Sequence, residues 1–147
     1  MKRLYAVLLP VVAGFLMSAP MLQAASLEPV DQSGVHIQRQ EQNGITYLSG
    51  GVGEDEAKAI RQATGYNLQM TFSIGAAGKF VPDVEVVIHN AQGQAVLTLT
   101  EAGPLVYVQL PPGKYTVVAT RHGETRRDTA QVGSGARPLV FNFRGNE

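Results

Sequence analysis

Three histidines, His36, His89 and His122, are the residues best suited to metal binding or acid–base catalysis. No two of them have the spacing of a local metal-binding motif, and Ser134 lacks the Gly-x-Ser-x-Gly elbow of many serine hydrolases. The chain contains no cysteine, which excludes disulfides, iron–sulfur clusters, thiolate zinc sites and cysteine nucleophiles. We therefore predict that the protein is not an enzyme and has no catalytic residue, metal or cofactor.

A glycine-rich stretch, Ser49–Gly53, precedes three consecutive acidic residues, Glu54, Asp55 and Glu56. Backbone amides at such a helix start can hold a phosphate, but the carboxylates would repel it and no Gly-Lys-Ser/Thr follows. Adjacent carboxylates also lack the alternate spacing of a calcium loop. We interpret the acidic residues as stabilising the positive end of a helix.

Four side chains gather around one predicted hairpin and form a local concentration of positive charge: Arg121, His122, Arg126 and Arg127. This cluster could bind an anionic glycan, a lipid head group or an acidic protein. The alternative is a charged strand edge that opposes aggregation, which also fits the neighbouring acidic residues. Tyr47 is a further candidate binding residue, because an exposed aromatic ring can stack on a sugar.

The first residues of the chain have the pattern of a secretory signal peptide. Lys2 and Arg3 precede an apolar run, Leu4–Met17, and small residues allow cleavage after Ala24 or Ala25. The apolar run is shorter than the ~20 residues of a membrane-spanning helix. We predict a periplasmic protein, or one released from the cell, that is not inserted in a membrane after cleavage.

The remaining domain carries a small excess of acidic residues, because cleavage removes two of the 12 basic residues and none of the 12 acidic ones. Such a charge does not favour nucleic acid as a partner. We divide the chain into a signal peptide (1–25), a flexible leader (26–34), a hairpin with a short helix (35–65) and a sandwich (66–147).

The segment 35–65 is predicted to cover one end or edge of the sandwich. Its hairpin joins Val35–Gln40 to Ile45–Leu48 around an Asn-Gly pair, which is a strong turn signal. Its helix spans Glu54–Thr64 and ends at Gly65.

Beyond Gly65 the apolar residues recur at every second position, which is the period of strands with one buried face. Turn residues separate about seven such segments. This pattern predicts an all-β fold, an antiparallel β-sandwich of immunoglobulin-like or transthyretin-like type. The predicted strands are 68–74, 84–88, 95–100, 105–110, 115–121, 125–132 and 139–143.

The segment LPPGKYTVVA at 110–119 resembles the signature of carboxypeptidase regulatory-like domains, and VEVVIHNAQGQAVLTLTEAG at 84–103 resembles their preceding strand pair. The likeness covers residues 68–143. YLSGGVGEDE at 47–56, with Tyr66–Leu68, is similar to small exported proteins of Gram-negative bacteria that carry this domain alone. The resemblance implies a transthyretin-like sandwich without catalytic residues of its own.

These observations lead us to expect a non-catalytic exported protein that acts as a binding or structural module. Its partner would be a protein or a cell-envelope glycan. The alternative function is a carbohydrate-binding module that uses a face of tyrosines, drawn from Tyr47, Tyr66 and Tyr107.

Overall fold

The computed structural model describes residues 30–32 and 35–145, so the predicted signal peptide lies outside the described residues. Within them, the helix is α1 (Glu54–Gln62). The strands are β1 (Val30–Gln32), β2 (Val35–Ile37), β3 (Gln40–Gln42), β4 (Ile45–Gly50), β5 (Leu68–Ile74), β6 (Lys79–Phe80), β7 (Val84–His89), β8 (Ala95–Ala102), β9 (Leu105–Gln109), β10 (Gly113–Arg121), β11 (Glu124–Val132) and β12 (Arg137–Phe143).

The longer strands form two sheets, which confirms the prediction of an all-β sandwich with one short helix. The four-stranded sheet has the order β11-β10-β7-β8. The larger sheet has the order β12-β5-β9-β4-β3, with β6 also paired to β5, and β1 and β2 form a separate pair. All pairs are antiparallel except β5 and β12, which run parallel. All seven strands predicted beyond Gly65 are present.

The main core lies between the two sheets and is built from the alternate apolar residues that the sequence pattern marked. Phe72 of β5 is fully buried and stacks on Phe141 of β12, with ring centroids 5.5 Å apart. Val86 and Val117 face them from the four-stranded sheet and are also fully buried.

No helix within residues 30–32 and 35–145 is long and apolar enough to cross a membrane.

A second, smaller core lies under α1, on the other face of the six-stranded sheet. Ile60 of α1 packs there with Leu48 of β4 and with Leu105 and Tyr107 of β9. The side chains of β9 therefore point into two cores alternately, because successive residues of a strand face opposite sides. The helix thus covers a sheet face, and the prediction that it covers an end or edge is wrong.

The predicted hairpin is shorter than expected and belongs to the six-stranded sheet instead of covering the sandwich. Asn43 and Gly44 do form its two-residue turn, both with positive φ, as a type I′ turn requires. The expected first strand is divided, because Val35–Ile37 pairs with Val30–Gln32 instead. A strand therefore lies within the segment that we predicted as a flexible leader.

The helix ends at Gln62, two residues before the predicted end. Ala63 is already extended, with φ −70° and ψ 144°, and its N–H still donates to the carbonyl of Ile60. Gly65, at which we predicted the helix to end, has a left-handed conformation with φ +94° but lies beyond the helix end.

The hairpin turn also protects the free edge of β8. The amide of Gln42 donates to the carbonyl of Thr98 at 3.0 Å and accepts from its N–H at 2.7 Å, as a neighbouring strand would. Asn43 donates to the carbonyl of Val96 at 3.1 Å. Two side-chain amides thus occupy backbone groups that could otherwise pair with another chain.

Tyr115 forms a tyrosine corner: its buried hydroxyl donates to the carbonyl of Pro111 at 2.7 Å. Burial raises the pKa of Tyr115 above its ordinary value of 10.0. Burial also raises the pKa of Tyr107, an effect that the nearby Arg61 partly offsets.

We expect Tyr115→Phe to lower the free energy of unfolding by about 1 kcal/mol, because the Pro111 carbonyl loses its donor. A raised pKa means that folding favours the neutral phenol. Its contribution is therefore complete below pH 10.0 and is lost as pH rises through the folded-state pKa. Urea unfolding across alkaline pH should show a shallower decline for the variant than for the parent. Tyr47→Phe is the control, because among the described residues that hydroxyl bonds to the exposed Gln40 side chain alone, at 3.3 Å. An equal loss in both variants would contradict the assignment.

Candidate functional site

The basic residues predicted as one cluster are separated by the structure. Arg126 and Arg127 are consecutive on β11, so their side chains point to opposite faces of the four-stranded sheet. Arg121 is half-buried, and its Nε donates to the carbonyl of Pro82 at 3.1 Å. His122 is exposed at the apex of the β10–β11 turn with φ +48°.

Arg126 has a structural partner, Glu124, at 3.2 Å between Nη2 and Oε2. The two carboxylate oxygens of Glu124 also accept from the backbone N–H of Arg144, at 3.0 and 3.1 Å. This contact ties the β10–β11 hairpin to the end of β12. Arg121 and Arg126 therefore have partners within the sandwich, while Arg127 and His122 have exposed side chains.

Tyr47 lies apart from the basic hairpin and is buried, with 7% of its surface exposed. It packs in the main core near β8, at the edge of the four-stranded sheet opposite β11. Tyr66 and Tyr107 are also buried, and Arg39 lies 5.8 Å from the centroid of the Tyr66 ring. None of the three rings forms an exposed platform, so the carbohydrate alternative loses the residues on which we based it.

The described part of the chain holds no group of three or more His, Cys, Asp or Glu side chains that could bind a metal. His89 is half-buried at the end of β7, and His122 is exposed at its turn. The backbone of His36 belongs to β2.

An apolar groove of about 450 Å³ lies where the start of α1 meets β6 and the loop before β9. Its walls contain Val52, Phe80, Pro82 and Pro104, and Ala57 of α1 also lines it. Val52 and Phe80 are two of the three large apolar residues exposed in the described part of the chain, at 64% and 39%. Exposed apolar side chains that share one concave surface are typical of binding sites.

The loop that carries Val52 is held in place by the first turn of the helix. The carboxylate of Glu56 accepts from the N–H groups of Gly51 at 2.7 Å and Val52 at 3.2 Å. These are the amides that a phosphate would need, so this intramolecular contact agrees with our rejection of a phosphate loop. Gly51, at φ +102°, lies so close to Leu105 that a Cβ would be 3.1 Å from its side chain. The backbone at Val52 is therefore held in place by Glu56 and by the close contact of Gly51 with Leu105.

Charged side chains flank the groove along one stripe of α1. Glu54 and Arg61 line it together with Ala57, at positions i, i+7 and i+3 of the helix. The helical rise separates the backbones of the two charged residues by about 10 Å. The groove thus has a small apolar centre between a carboxylate and a guanidinium.

Compared with models of known protein families, the chain matches none. A search of curated proteins also finds no match.

The sequence pattern does not predict the groove, although it does mark the Gly-rich loop that forms part of it. Val52, Phe80 and Pro104 come from three distant segments. One feature of the sequence could have indicated the groove. The valine at position 52 is an apolar residue among glycines, where neither a strand pattern nor a helix pattern requires one.

Proposed function

We propose that this protein is an exported, non-catalytic β-sandwich that binds an extended segment of another cell-envelope protein in the apolar groove. The observation that carries the proposal is the pairing of Val52 and Phe80, exposed together in one groove. The signal-peptide pattern of residues 1–25 supports export. The likeness of residues 68–143 to carboxypeptidase regulatory-like domains supports a binding role without catalysis.

The chemistry of the groove favours a peptide that presents one or two apolar side chains. Burying a valine or phenylalanine surface contributes about 1.5–3 kcal/mol per side chain, which can anchor a short segment. A basic residue of the partner would face Glu54, and an acidic residue would face Arg61. Because the Val52 loop is already fixed by Glu56, little conformational entropy is lost on binding.

The test is selection of a displayed random-peptide library on the purified protein, followed by titration of the selected peptides. We expect enrichment of peptides with apolar residues between a basic and an acidic residue. In Val52→Ser and Phe80→Ser the Kd should rise by about tenfold or more, because each variant removes apolar contact area.

Val140→Ser is the matched control, because Val140 is as exposed as Val52, at 66%, but lies on β12 outside the groove. It should bind the selected peptides as the parent does. The proposal is wrong if no peptide is enriched, or if the groove variants bind as tightly as the Val140 variant. Thermal unfolding of all variants checks that the fold is retained.

A further inference from the structure

The outer face of the four-stranded sheet carries a second concave surface, on the opposite side of the sandwich from α1. Tyr115, Val117 and Ala119 of β10 point into the main core, so Thr116 and Val118 point outward. The strand register places Thr116 directly opposite His89 of β7. It also places Arg127 of β11 opposite Val118, one step along the same face.

Three nitrogen-bearing side chains consequently surround Thr116. His89 lies beside it, Lys114 precedes it by two residues on β10, and Arg127 lies diagonally across on β11. Together they line a cleft of about 420 Å³. No carboxylate is among the described residues that line this cleft.

One wall of the cleft is the turn that follows β7, and Asn90 makes this turn rigid. The Asn90 Oδ1 accepts from the N–H groups of Gln92 at 3.0 Å and Gln94 at 2.9 Å. The Asn90 carbonyl also accepts from Gly93 at 2.9 Å. The backbone of this wall is therefore held in one conformation before any ligand binds.

The positive charges of the cleft are not neutralised within the described part of the chain. Lys114 and Arg127 have no ion pair there, whereas the neighbouring Arg126 is paired with Glu124. Glu85, on the same face of β7, stands opposite Thr120 at the other end of the strands. Two like charges around one hydroxyl leave a position suited to an anion.

We propose that this cleft binds a phosphate group, seated over the Thr116 hydroxyl and held by Lys114, Arg127 and His89. A phosphate offers three acceptor oxygens in a tetrahedral arrangement, which matches donors that converge from three strands. Arg127 supplies a forked pair of donors and Lys114 a compact charge. The site is independent of the apolar groove, because the two share no lining residue.

The test is a titration of isotope-labelled protein with inorganic phosphate, followed by NMR at constant ionic strength. The amides of His89, Lys114 and Thr116 should shift and saturate. In the double variant Lys114→Gln with Arg127→Gln, affinity should fall by about tenfold or more, because two charge-assisted contacts are lost. Lys79→Gln with Arg137→Gln changes the net charge equally but lies outside the cleft, and it should bind as the parent does.

Acetate serves as the second probe, because a carboxylate is an anion but is planar and carries only one negative charge. Absence of saturation with phosphate, equal affinity for acetate, or an unchanged double variant would each overturn the proposal. Sedimentation with phosphatidylglycerol vesicles and with phosphatidylcholine vesicles then identifies the source. Binding to phosphatidylglycerol alone supports a lipid phosphate, and binding to inorganic phosphate without either vesicle supports a soluble phosphorylated molecule.

Discussion

Replacing Gly103 with alanine should lower the free energy of unfolding by about 3 kcal/mol, because the added methyl group has no space. Its Cβ would lie 2.6 Å from the carbonyl oxygen of Gly50 and 2.7 Å from the Gly50 Cα. Both are backbone atoms, which no side-chain rotation can move away. Gly103 lies between β8 and β9, where the chain passes from one sheet to the other, and its N–H donates to the hydroxyl of Ser49 at 3.0 Å. Urea unfolding measures the change as a lower midpoint with an unchanged slope.

Gly135→Ala is the control for this prediction, because a Cβ at Gly135 would meet nothing within 4 Å. We expect its free energy of unfolding to stay within about 0.5 kcal/mol of the parent value. If Gly103→Ala were as stable as Gly135→Ala, the close approach of the two chain segments would be incorrect.

Replacing Asn67 with alanine should destabilise the protein by about 3 kcal/mol, because one side chain makes three hydrogen bonds between distant segments. Its Nδ2 donates to the carbonyls of Leu110 at 2.8 Å and Gly133 at 3.1 Å. Its Oδ1 accepts from the N–H of Leu110 at 2.9 Å. Asn67 thus joins the start of β5 to the end of β9 and to the chain after β11. Without it, the backbone groups of the buried Leu110 lose their partner.

The substitution Asn67→Asp distinguishes the contribution of the hydrogen bonds from that of packing, because it keeps the size of the side chain and changes its donors. The carboxylate retains the acceptor for Leu110 but turns an oxygen towards two carbonyl oxygens, which disfavours its charged form. This variant should therefore be more stable at acidic than at neutral pH relative to the parent. Asn142→Ala removes two hydrogen bonds, one from the buried Ser73 hydroxyl and one to the Gly75 carbonyl, and should cost about 2 kcal/mol. Equal effects of the Asn67 and Asn142 substitutions, measured by urea unfolding, would contradict the role of Asn67.

Local patterns predicted the strands well because each strand of the sandwich has one buried face. Met70, Phe72 and Ile74, for example, alternate with polar residues because successive side chains of β5 point to opposite sides of the sheet. The Asn43-Gly44 turn and the Tyr115 corner also depend on residues close in sequence. Such features follow from backbone geometry and can be read without knowing the partner strands.

Strand pairing and the placement of the sites depend on distant residues, and the sequence pattern did not reveal them. Nothing in the period of β4 indicates that it pairs with β9, and therefore the hairpin was misplaced. The sequence could have predicted that Arg126 and Arg127 point to opposite faces of the sheet, because adjacent residues of a strand do so. The cleft around Thr116 needed the register of β7, β10 and β11, which alternation alone does not give.

Because β5 pairs with β12, the last strand, the larger sheet cannot be completed until the end of the chain is available for folding. Residues 68–74 must wait for residues 137–143, and Phe72 lacks its stacking partner until Phe141 arrives. A chain that emerges from its N-terminal end therefore leaves one edge of β5 open while the intervening six strands form. During this interval the unpaired edge can pair with other chains, so slow pairing of β12 favours aggregation.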